Sequence, residues 1–377
     1  MRYNVTIKEL LARSLQVEAD SVSDAESAVK RLYRNSDVVL SADDYVGTEI
    51  DVDNHQPYYK SPSNDFTLIQ GDCVETLSKF KFGFDMVFAD PPYFLSGGGI
   101  SYQNGRIVCV DKGEWDKPIT PEEMDAFNLR WLAACRDHMK ENATIWISGT
   151  HHNIFSVQQQ LIKLGFKILN VITWAKTNPP PNISCRYFTY STEFIIWARK
   201  SSKVAHYFNY KLMKELNGGK QMTDVWHLPA IGRWEKSCGK HPTQKPLGVL
   251  ARLIQASTES AAWILDPFSG SATTGIAANL LGRRYLGLEI DDGFLAMSKA
   301  RRVELEDITI RNNYFNRLIE AKHILPPENP IFVADESGMD YGVPWLDRSV
   351  CSIRQGFNKK RWLPNNVNWL PFDLLFQ

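Results

Sequence analysis

Cysteine and histidine are scarce in this sequence, and their spacing suits neither a disulfide framework nor a metal site. The 377 residues include six cysteines, with no Cys-x-x-Cys pair, and eight histidines, of which only His151 and His152 are adjacent. Small secreted domains depend on dense cysteines, and structural zinc sites need closely spaced Cys and His ligands. We therefore expect a reducing, cytoplasmic location and no bound metal.

Long apolar runs and an excess of charge of one sign are also missing. No apolar segment approaches the ~18 residues of a membrane-spanning helix, and the first residues lack the apolar core of a secretion signal. The 43 basic side chains balance the 43 acidic ones, so a surface for a polyanion such as DNA must be local. Hydrophobic residues make up 44% of the chain and charged residues 23%, as in a globular protein with a full core.

Changes of composition along the chain predict four segments, in line with the roughly two to three domains expected for this length. Residues 1–53 carry 11 acidic and 6 basic side chains and indicate a small α+β module of ββαβ order, with Ser23 capping its helix. The polar, proline-containing residues 54–64 indicate a linker. Residues 65–323 alternate between apolar strands and amphipathic helices, whereas residues 324–377 show no period and form an extension of unassigned role.

The alternating segment predicts an α/β fold. Continuously apolar strands with helices between them indicate a mostly parallel sheet that is covered on both faces. The predicted strands are residues 66–72, 84–90, 143–148, 166–174, 192–198, 262–268 and 285–290.

The tetrapeptide Asp90-Pro91-Pro92-Tyr93 follows the apolar run Phe84–Ala89. The exocyclic amino nitrogen of a base is a poor nucleophile, because its lone pair is delocalised into the ring. The Asp90 carboxylate and the Pro91 carbonyl can accept its two N–H bonds and so localise that lone pair, while the prolines stiffen the backbone. Tyr93 can stack on a base swung out of the helix. The motif therefore suits methylation of an amino group, with a purely structural proline turn as the alternative.

A second motif, residues 266–274, ends a strand and opens a helix. Its small residues let a ligand approach the backbone, and a helix N-terminus offers free N–H groups to a carboxylate. An ordinary glycine-rich turn is the alternative. The candidate ligand contacts in this loop are Asp266, Phe268, Gly270, Ser271, Ala272 and Thr273.

Acidic residues stand at the ends of two further strands. Glu289 follows Phe268 by 21 residues, where it can accept hydrogen bonds from ribose hydroxyls. Asp72 can accept from an adenine amino group or can merely cap the next helix.

The loop at residues 266–274 does not have the G-x-G-x-x-G pattern, because Ala272 takes the position of the third glycine. An NAD-dependent oxidoreductase is therefore disfavoured.

The segment His241-Pro242-Thr243-Gln244-Lys245-Pro246 precedes the helix that leads into the strand before the loop. Thr243 and Lys245 are candidate cofactor contacts, and a helix-start turn with proline near its first position is the alternative.

In combination these motifs resemble the β-class amino-methyltransferases of DNA, in which D-P-P-Y precedes the cofactor loop and HPTQKP stands immediately before that loop. FADPPYFLSGGG, VDKGEWDKP, SCRYFTYSTEFIIWARK, GKQMTDVW and GKHPTQKP are similar to segments of the HinfI- and DpnII-type adenine methyltransferases, over roughly residues 65–320. Residues 1–53 resemble the small DpnD/PcfM-type domain. The loop departs from the family at Ala272, where glycine is usual, and alanine is small enough to keep the loop working.

The resemblance implies a Rossmann-like methyltransferase fold, circularly permuted, with a seven-stranded, mostly parallel sheet. It implies that S-adenosyl-L-methionine lies across Phe268–Thr273, with its ribose on Glu289, its adenine near Asp72 and its methyl group toward Asp90–Tyr93. It also implies no metal and no covalent bond between enzyme and base. Cytosine-C5 methylation is excluded because the chain lacks the Pro-Cys dipeptide that normally carries its nucleophile.

The implied activity is methylation of adenine N6 in a short DNA sequence, with the target adenine flipped out of the duplex. The protein would be the modification half of a restriction–modification system, paired with a cognate endonuclease without required contact. Aspartate before Pro-Pro-Tyr favours adenine, and cytosine N4 stays the alternative. The intact motif argues against a non-catalytic DNA-binding relative. A homodimer and the recognition sequence, GATC or GANTC, stay open.

DNA contacts are expected in residues 176–240, where basic and aromatic side chains interleave. We interpret this segment as a target-recognition insertion. Arg186, inside SCRYFT, is the first candidate for a DNA contact, and Lys176 and Lys220 are further candidates.

Overall fold

A computed structural model shows two compact units, Met1–Gln56 and Pro57–Gln377. The residues that the structure describes are 4–19, 21–53, 57–79, 81–94, 99–103, 106–110, 116–182, 185–239, 241–326, 331–334 and 340–343.

The first unit has the order strand, helix, strand. Strands β1 (Asn4–Leu11) and β2 (Tyr45–Asp53) pair antiparallel, and helix α1 (Val22–Arg34) lies between them in sequence. Two expectations were wrong. The second strand of the predicted ββαβ order is not formed, since residues 12–19, all described, contain no strand. The helix is capped by Ser21, whose hydroxyl accepts from the Asp24 N–H at 3.1 Å, and not by Ser23.

The second unit contains a large sheet, flanking helices and two small hairpins. Its elements in chain order are β3 (Tyr59–Lys60), β4 (Phe66–Gln70), α2 (Cys73–Leu77), β5 (Phe84–Ala89), β6 (Gly99–Gln103), β7 (Arg106–Val110), α3 (Pro121–Asp137), β8 (Met139–Gly149), α4 (Ile154–Lys163), β9 (Lys167–Lys176), β10 (Thr192–Arg199), α5 (Tyr210–Leu216), β11 (Val225–Leu228), α6 (Leu247–Ser257), β12 (Trp263–Asp266), α7 (Thr273–Leu280), β13 (Arg284–Glu289), α8 (Asp292–Glu304), α9 (Ile308–Glu320), β14 (Ile331–Ala334) and β15 (Asp340–Val343).

The sheet has the order β11-β9-β10-β8-β5-β12-β13-β4-β3. The five strands from β8 to β4 are parallel to one another, whereas β10 and β3 run antiparallel to their neighbours. The predicted mostly parallel α/β fold is therefore confirmed, and each of the seven strands predicted for this sheet is present. The strand number was wrong, because this sheet has nine strands in the described part of the chain and not seven. The two additional strands, β3 and β11, are edge strands of 2 and 4 residues, too short to show an apolar run.

Helices cover both faces of the sheet. Helices α6, α7, α8 and α9 contribute to one apolar cluster, and helices α2, α3 and α4 contribute to the other. Adjacent residues of β12 point to opposite clusters, and Ile264 and Leu265 are both fully buried. This double burial explains why the strands are continuously apolar rather than alternating.

Regular elements lie within two of the predicted segments. Residues 176–240, interpreted as a target-recognition insertion, contain β10 and β11 of the sheet and helix α5. The extension 324–377 contributes the antiparallel hairpin of β14 and β15, and most of it lies outside the described residues. None of the described helices is long and apolar enough to cross a membrane.

Candidate active site

The carboxyl ends of four neighbouring parallel strands meet at one edge of the sheet. Met86 and Val87 of β5 pair with Ile264 and Leu265 of β12, so the residues that follow these strands emerge side by side. On the other side of β12, Glu289 of β13 pairs with Gln70 of β4. In open α/β sheets, ligands bind in the crevice outside such strand ends.

A cavity of about 700 Å³ lies at this edge. That volume falls within the ~300–1,000 Å³ of small-molecule sites in proteins. Among the residues that sequence analysis assigned to catalysis or to the cofactor, each borders this cavity except Ala272. The motifs, widely separated along the chain, are thus brought together as expected.

Both carboxylate oxygens of Asp90 accept hydrogen bonds. Oδ1 accepts from the Tyr93 hydroxyl at 2.7 Å, and Oδ2 accepts from Lys245 Nζ at 2.6 Å. Burial raises the pKa of Asp90, and the positive charge of Lys245 acts against that rise. Tyr93 is 6% exposed, so its ring belongs to the wall of the cavity.

The turn that carries this motif is fixed by Asp116, which sequence analysis missed. Oδ1 of Asp116 accepts from the backbone N–H groups of Tyr93 at 2.9 Å and Phe94 at 2.7 Å. Phe94 adopts a left-handed backbone with φ of 56°, which is unfavourable for a bulky residue. The buried carboxylate compensates by binding two N–H groups of the turn. Asp116 lies in VDKGEWDKP, one of the family-like segments, and that was the available signal.

Lys245 contacts the catalytic motif. Besides Asp90, its ammonium lies 3.1 Å from the Tyr93 hydroxyl and 3.7 Å from Oε2 of Glu193 on β10. Burial disfavours the ammonium form, but the negative charges of Asp90 and Glu193 and the hydrogen bond to Asp90 outweigh burial and raise the pKa of Lys245 well above its usual value. Sequence analysis assigned Lys245 to the cofactor and did not single out Glu193.

The loop between β12 and α7 has a left-handed backbone in two places. Gly270 has φ of 51°, and a Cβ there would come within 2.9 Å of the His241 ring. Ala272 also has φ of 51°, a conformation that costs a residue with a side chain about 1–2 kcal/mol. Ala272 is fully buried in the apolar core, and the left-handed backbone explains why glycine suits this position. That the loop works with alanine stays a prediction.

Polar side chains of α8, also missed from the sequence, hold this loop in shape. The Ser298 hydroxyl donates to the Gly270 carbonyl at 2.7 Å. The buried Arg301 donates to the Ser271 carbonyl and, at 2.9 Å, to the Thr273 hydroxyl. Positions 298 and 301 are one helical turn apart and therefore share a face of α8, which was the signal available in the sequence.

Glu289, the last residue of β13, is hydrogen-bonded to the loop that follows β12 and to the residues that follow β13. Its Oε2 accepts from the Gly270 N–H at 2.7 Å, and its Oε1 accepts from the N–H groups of Ile290 at 2.9 Å and Asp291 at 3.0 Å. Burial raises the pKa of Glu289, and these three hydrogen bonds oppose the rise. A carboxylate offers about four acceptor positions, so one position is left for a ligand hydroxyl.

Asp72 and Asp266 border the cavity but also have structural partners. Asp72 caps α2, accepting from the N–H groups of Val74 at 2.8 Å and Glu75 at 3.1 Å. The helix-cap alternative for Asp72 is therefore observed. Asp266 accepts from the Phe268 N–H at 3.1 Å, and burial raises its pKa to about 7.

The loop before α6 contributes the remaining wall. The Thr243 N–H donates to His241 Nδ1 at 3.3 Å, and Gln244 Nε2 donates to the Glu235 carbonyl at 2.8 Å. Oε1 of Gln244 is buried and has no hydrogen-bond partner within the described part of the chain, although Gln244 borders the cavity. A buried acceptor without a partner is costly, so a ligand donor would be favourable there.

The predicted DNA contacts are in different environments. Arg186 and Lys220 are exposed. Lys176, at the end of β9, is half-buried, and its Nζ lies 2.5 Å from Oε1 of Glu193. Lys176 thus belongs to the ion-pair network around Asp90 and not to an exposed basic surface.

Known proteins match both units. A family described as DNA methylase matches residues 84–300, which is more than half of the chain. Type II methyltransferase M2.MboI from Moraxella bovis is 55% identical over 70% of this chain and 96% of its own length. Type II methyltransferase M2.DpnII from Streptococcus pneumoniae is 54% identical over 67% of this chain and 94% of its own length.

The chain belongs to this family of DNA methylases. The DpnD/PcfM-like protein family matches residues 3–48, so both resemblances seen in the sequence are confirmed. The solved structure of PvuII DNA methyltransferase, a cytosine-N4-specific enzyme, has a TM-score of 0.52 and 17% identity, covering 70% of this chain and 96% of that one. This likeness supports the fold.

S-adenosyl-L-methionine is the methyl donor of this DNA methylase, and the cavity fits it. Glu289 offers an acceptor beside the N-terminus of α7, and Gln244 offers a second, buried acceptor. Phe268 contributes an apolar wall that packs edge-on against Trp131, with ring centroids 5.3 Å apart. An amino acid joined to a nucleoside needs this mixture of polar and apolar contacts.

Proposed function

We propose that this DNA methylase transfers a methyl group to adenine N6 within a short sequence, as the modification component of a type II restriction–modification system. The observation that carries the proposal is the largely buried Asp90 carboxylate, which directly follows β5 and borders a cavity suited to the methyl donor. Aspartate before Pro-Pro-Tyr favours adenine over cytosine N4. The relatives from Moraxella and Streptococcus, named type II methyltransferases, support the biological setting.

In the proposed mechanism Asp90 and Pro91 prepare the amino group of a flipped-out adenine. The Asp90 carboxylate accepts one N–H and the Pro91 carbonyl accepts the other. The nitrogen lone pair is then localised and can attack. When bound, S-adenosyl-L-methionine supplies an electrophilic methyl group on a sulfonium.

As the new N–C bond forms, the bond from the methyl group to sulfur would break, leaving its electron pair on a neutral thioether. The amino nitrogen becomes positively charged and must lose one proton. Asp90 accepts a stronger hydrogen bond from this nitrogen as its charge develops, which stabilises the transition state more than the ground state. Because burial raises the pKa of Asp90, its carboxylate is also suited to take up the departing proton.

We assign the cofactor contacts by the chemistry of each side chain. Glu289 binds the ribose hydroxyls, and the N-terminus of α7 at Thr273 binds the carboxylate. Asp72 lies near the adenine of the cofactor. Support comes from the common cavity that these residues border.

DNA contacts are proposed for the loop around Arg186. Tyr187 and Tyr190 in this loop are more than half exposed, and Phe188 is 95% exposed. Exposed aromatic rings beside a basic side chain suit base stacking and phosphate binding. Lys220 is a further phosphate contact in this proposal.

Pairing with a cognate endonuclease requires no contact between the two enzymes, and a homodimer is compatible with the proposed activity.

The product of the reaction tests the proposal directly. We express the full chain in a host without DNA methylation and map modified bases by sequencing genomic DNA. We expect N6-methyladenine in one short motif, and unmodified DNA from cells that produce Asp90→Ala at an equal level. N4-methylcytosine, or the absence of any modification, would contradict the proposal.

The first unit is proposed to be separable from methyl transfer. It forms its own compact unit, Met1–Gln56, and no residue assigned to the reaction lies in it. A shortened chain that begins at Pro57 is expected to keep most of its methyl-transfer rate, measured with labelled cofactor. Circular dichroism provides the control for folding. A folded shortened chain that has lost its activity would show that the first unit takes part in catalysis.

A further inference from the structure

The Asp-Pro-Pro-Tyr turn is held at both ends. At its start, Ala89 of β5 pairs with Ile147 of β8, so the sheet fixes the point where the turn leaves the strand. At its end, Oδ1 of Asp116 accepts from the N–H groups of Tyr93 at 2.9 Å and Phe94 at 2.7 Å. Asp116 is fully buried, and hydrogen bonds to a carboxylate are strong where water is excluded. The sheet is therefore one anchor of the turn, and the Asp116 carboxylate is the other.

The second anchor controls the direction of the Pro91 carbonyl. Peptide planes are rigid, so only φ and ψ of Pro92 separate this carbonyl from the Tyr93 N–H. The ring of Pro92 fixes its φ at ~−65°, which leaves ψ of Pro92 as the one soft dihedral between the two groups. Because Asp116 holds the Tyr93 N–H, it also restricts this dihedral. The direction of the Pro91 carbonyl at the border of the cavity thus depends on Asp116.

The backbone of Phe94 is a further reason why the turn needs this anchor. Its φ of 56° is unfavourable for a bulky side chain, so the turn would relax if nothing opposed the strain. Asp116 binds the N–H group of this same residue. Strained residues persist where the surrounding structure holds them in place, often beside an active site. Without the carboxylate we therefore expect the end of the turn to change its conformation.

We propose that Asp116 is a positioning residue for methyl transfer, which orients the Pro91 carbonyl toward the target amino group through the backbone of the turn. This inference rests on the proposed function, in which that carbonyl accepts the second N–H bond of adenine. Asp90 accepts from the amino group directly, whereas Asp116 acts only through the turn. A carbonyl that points elsewhere leaves the amino nitrogen with one acceptor, and its lone pair is then less localised.

The rate of a single turnover, with saturating cofactor and DNA, reports on this role. Asp116→Ala removes the acceptor of both N–H groups, and we expect the rate to fall by about 10²-fold, the usual cost of misplacing a reacting group by ~1 Å. Asp116→Asn keeps an uncharged oxygen in the place of Oδ1, and a loss of about tenfold is expected from its weaker hydrogen bonds. Affinities for the cofactor and for an oligonucleotide with the mapped motif, measured by calorimetric titration, should change little.

Phe94→Gly separates positioning from packing. Glycine adopts a positive φ without strain, so the turn should then depend less on its anchor. We expect Asp116→Ala to cost about tenfold less in rate when the chain also carries Phe94→Gly, since the left-handed backbone is no longer unfavourable. Phe94→Gly alone is the baseline of this double-mutant cycle, because Phe94 also borders the cavity. A lost packing contact would cost the same with either residue at position 94.

Asp125→Ala is the matched control. Asp125 is a partly buried carboxylate on α3 that accepts from the Ser156 hydroxyl on α4. It is not among the described residues that border the cavity. This control can lower stability, which thermal unfolding measures for every variant, but it should keep the rate per folded molecule.

Two results would overturn the inference. Near-normal rates at saturation in Asp116→Ala and Asp116→Asn would show that the carbonyl keeps its direction without the carboxylate, and a weakened affinity for DNA beside them would indicate a direct contact instead. An equal loss with and without Phe94→Gly would show that Asp116 is needed only for packing. If Asp116→Ala does not fold, Asp116→Asn provides the same comparison. Failure of the proposed function is distinguishable, since the original chain would then transfer no methyl group to adenine.

Discussion

Asp90→Ala is expected to transfer almost no methyl group while still binding both ligands. Loss of one preorganised electrostatic partner in a transition state typically lowers the rate by about 10²–10³. The substitution also removes the acceptor that orients the amino nitrogen, so the loss should be at least this large. The effect should appear in kcat, because the interaction strengthens during transfer.

Cofactor affinity should change little in this variant, because the proposed cofactor contacts lie in the loop 266–273 and at Glu289. DNA affinity should also survive, since removal of a negative charge reduces repulsion by phosphates. Lys245 keeps Glu193 as an ionic partner at 3.7 Å, which limits the cost of leaving its charge buried. Asp90→Asn keeps the shape of the site and is the second variant to measure.

Single-turnover transfer of labelled methyl groups, with calorimetric titration of each ligand, provides the measurement. Asp85→Ala is the matched control. Asp85 lies near the start of the same strand, and its carboxylate contacts Lys140 and the Trp263 N–H. This control can lower stability but should keep the rate per folded molecule. Near-normal turnover in Asp90→Ala would mean that the Asp-Pro-Pro-Tyr turn is only structural.

Glu289→Ala is expected to weaken cofactor binding by about ten- to a hundredfold. Hydrogen bonds to charged groups contribute roughly 1.5–3 kcal/mol, and the ribose hydroxyls would lose a charged acceptor. The variant also removes the acceptor of the Gly270 N–H, so the cofactor loop loses one of its restraints. Both effects act in the same direction.

Glu289→Gln separates these two effects. Its amide oxygen can still accept from the loop, but the charge is gone, so its affinity should lie between those of the original chain and Glu289→Ala. Calorimetric titration with S-adenosyl-L-methionine provides the measurement. Unchanged affinity in Glu289→Ala would show that the ribose binds elsewhere.

The sequence by itself determined the main strands and many of the residues that border the cavity. Strands such as β12 are buried on both faces, so their apolar runs are visible in any window of the sequence. Parallel strands also have a predictable consequence, because their carboxyl ends meet at one edge. For this reason the positions of Asp72, Asp90, Phe268 and Glu289 in the sequence are sufficient to predict that they share one site.

Local patterns were less informative where strands are short or where several residues compete for one role. The edge strands β3 and β11 are too short for a periodic pattern. Ser21 and Ser23 are both suitable helix caps by type, and the backbone geometry before α1 selects Ser21. Lys176 was predicted as a DNA contact from its type alone, and nothing in the sequence indicated that its position at the end of β9 places it against Glu193.

Only the tertiary structure decided which side chains meet across long distances in the chain. Lys245 contacts Asp90 across a separation of 155 residues, and Asp116 reaches back 23 residues to the Tyr93 N–H. Such contacts depend on strand order, on register and on the direction in which each side chain leaves its element. A sequence pattern indicates the periodicity and the capping residues of a segment. It does not indicate strand order, register or the direction of a side chain. The partner of the catalytic carboxylate therefore became visible only in the folded chain.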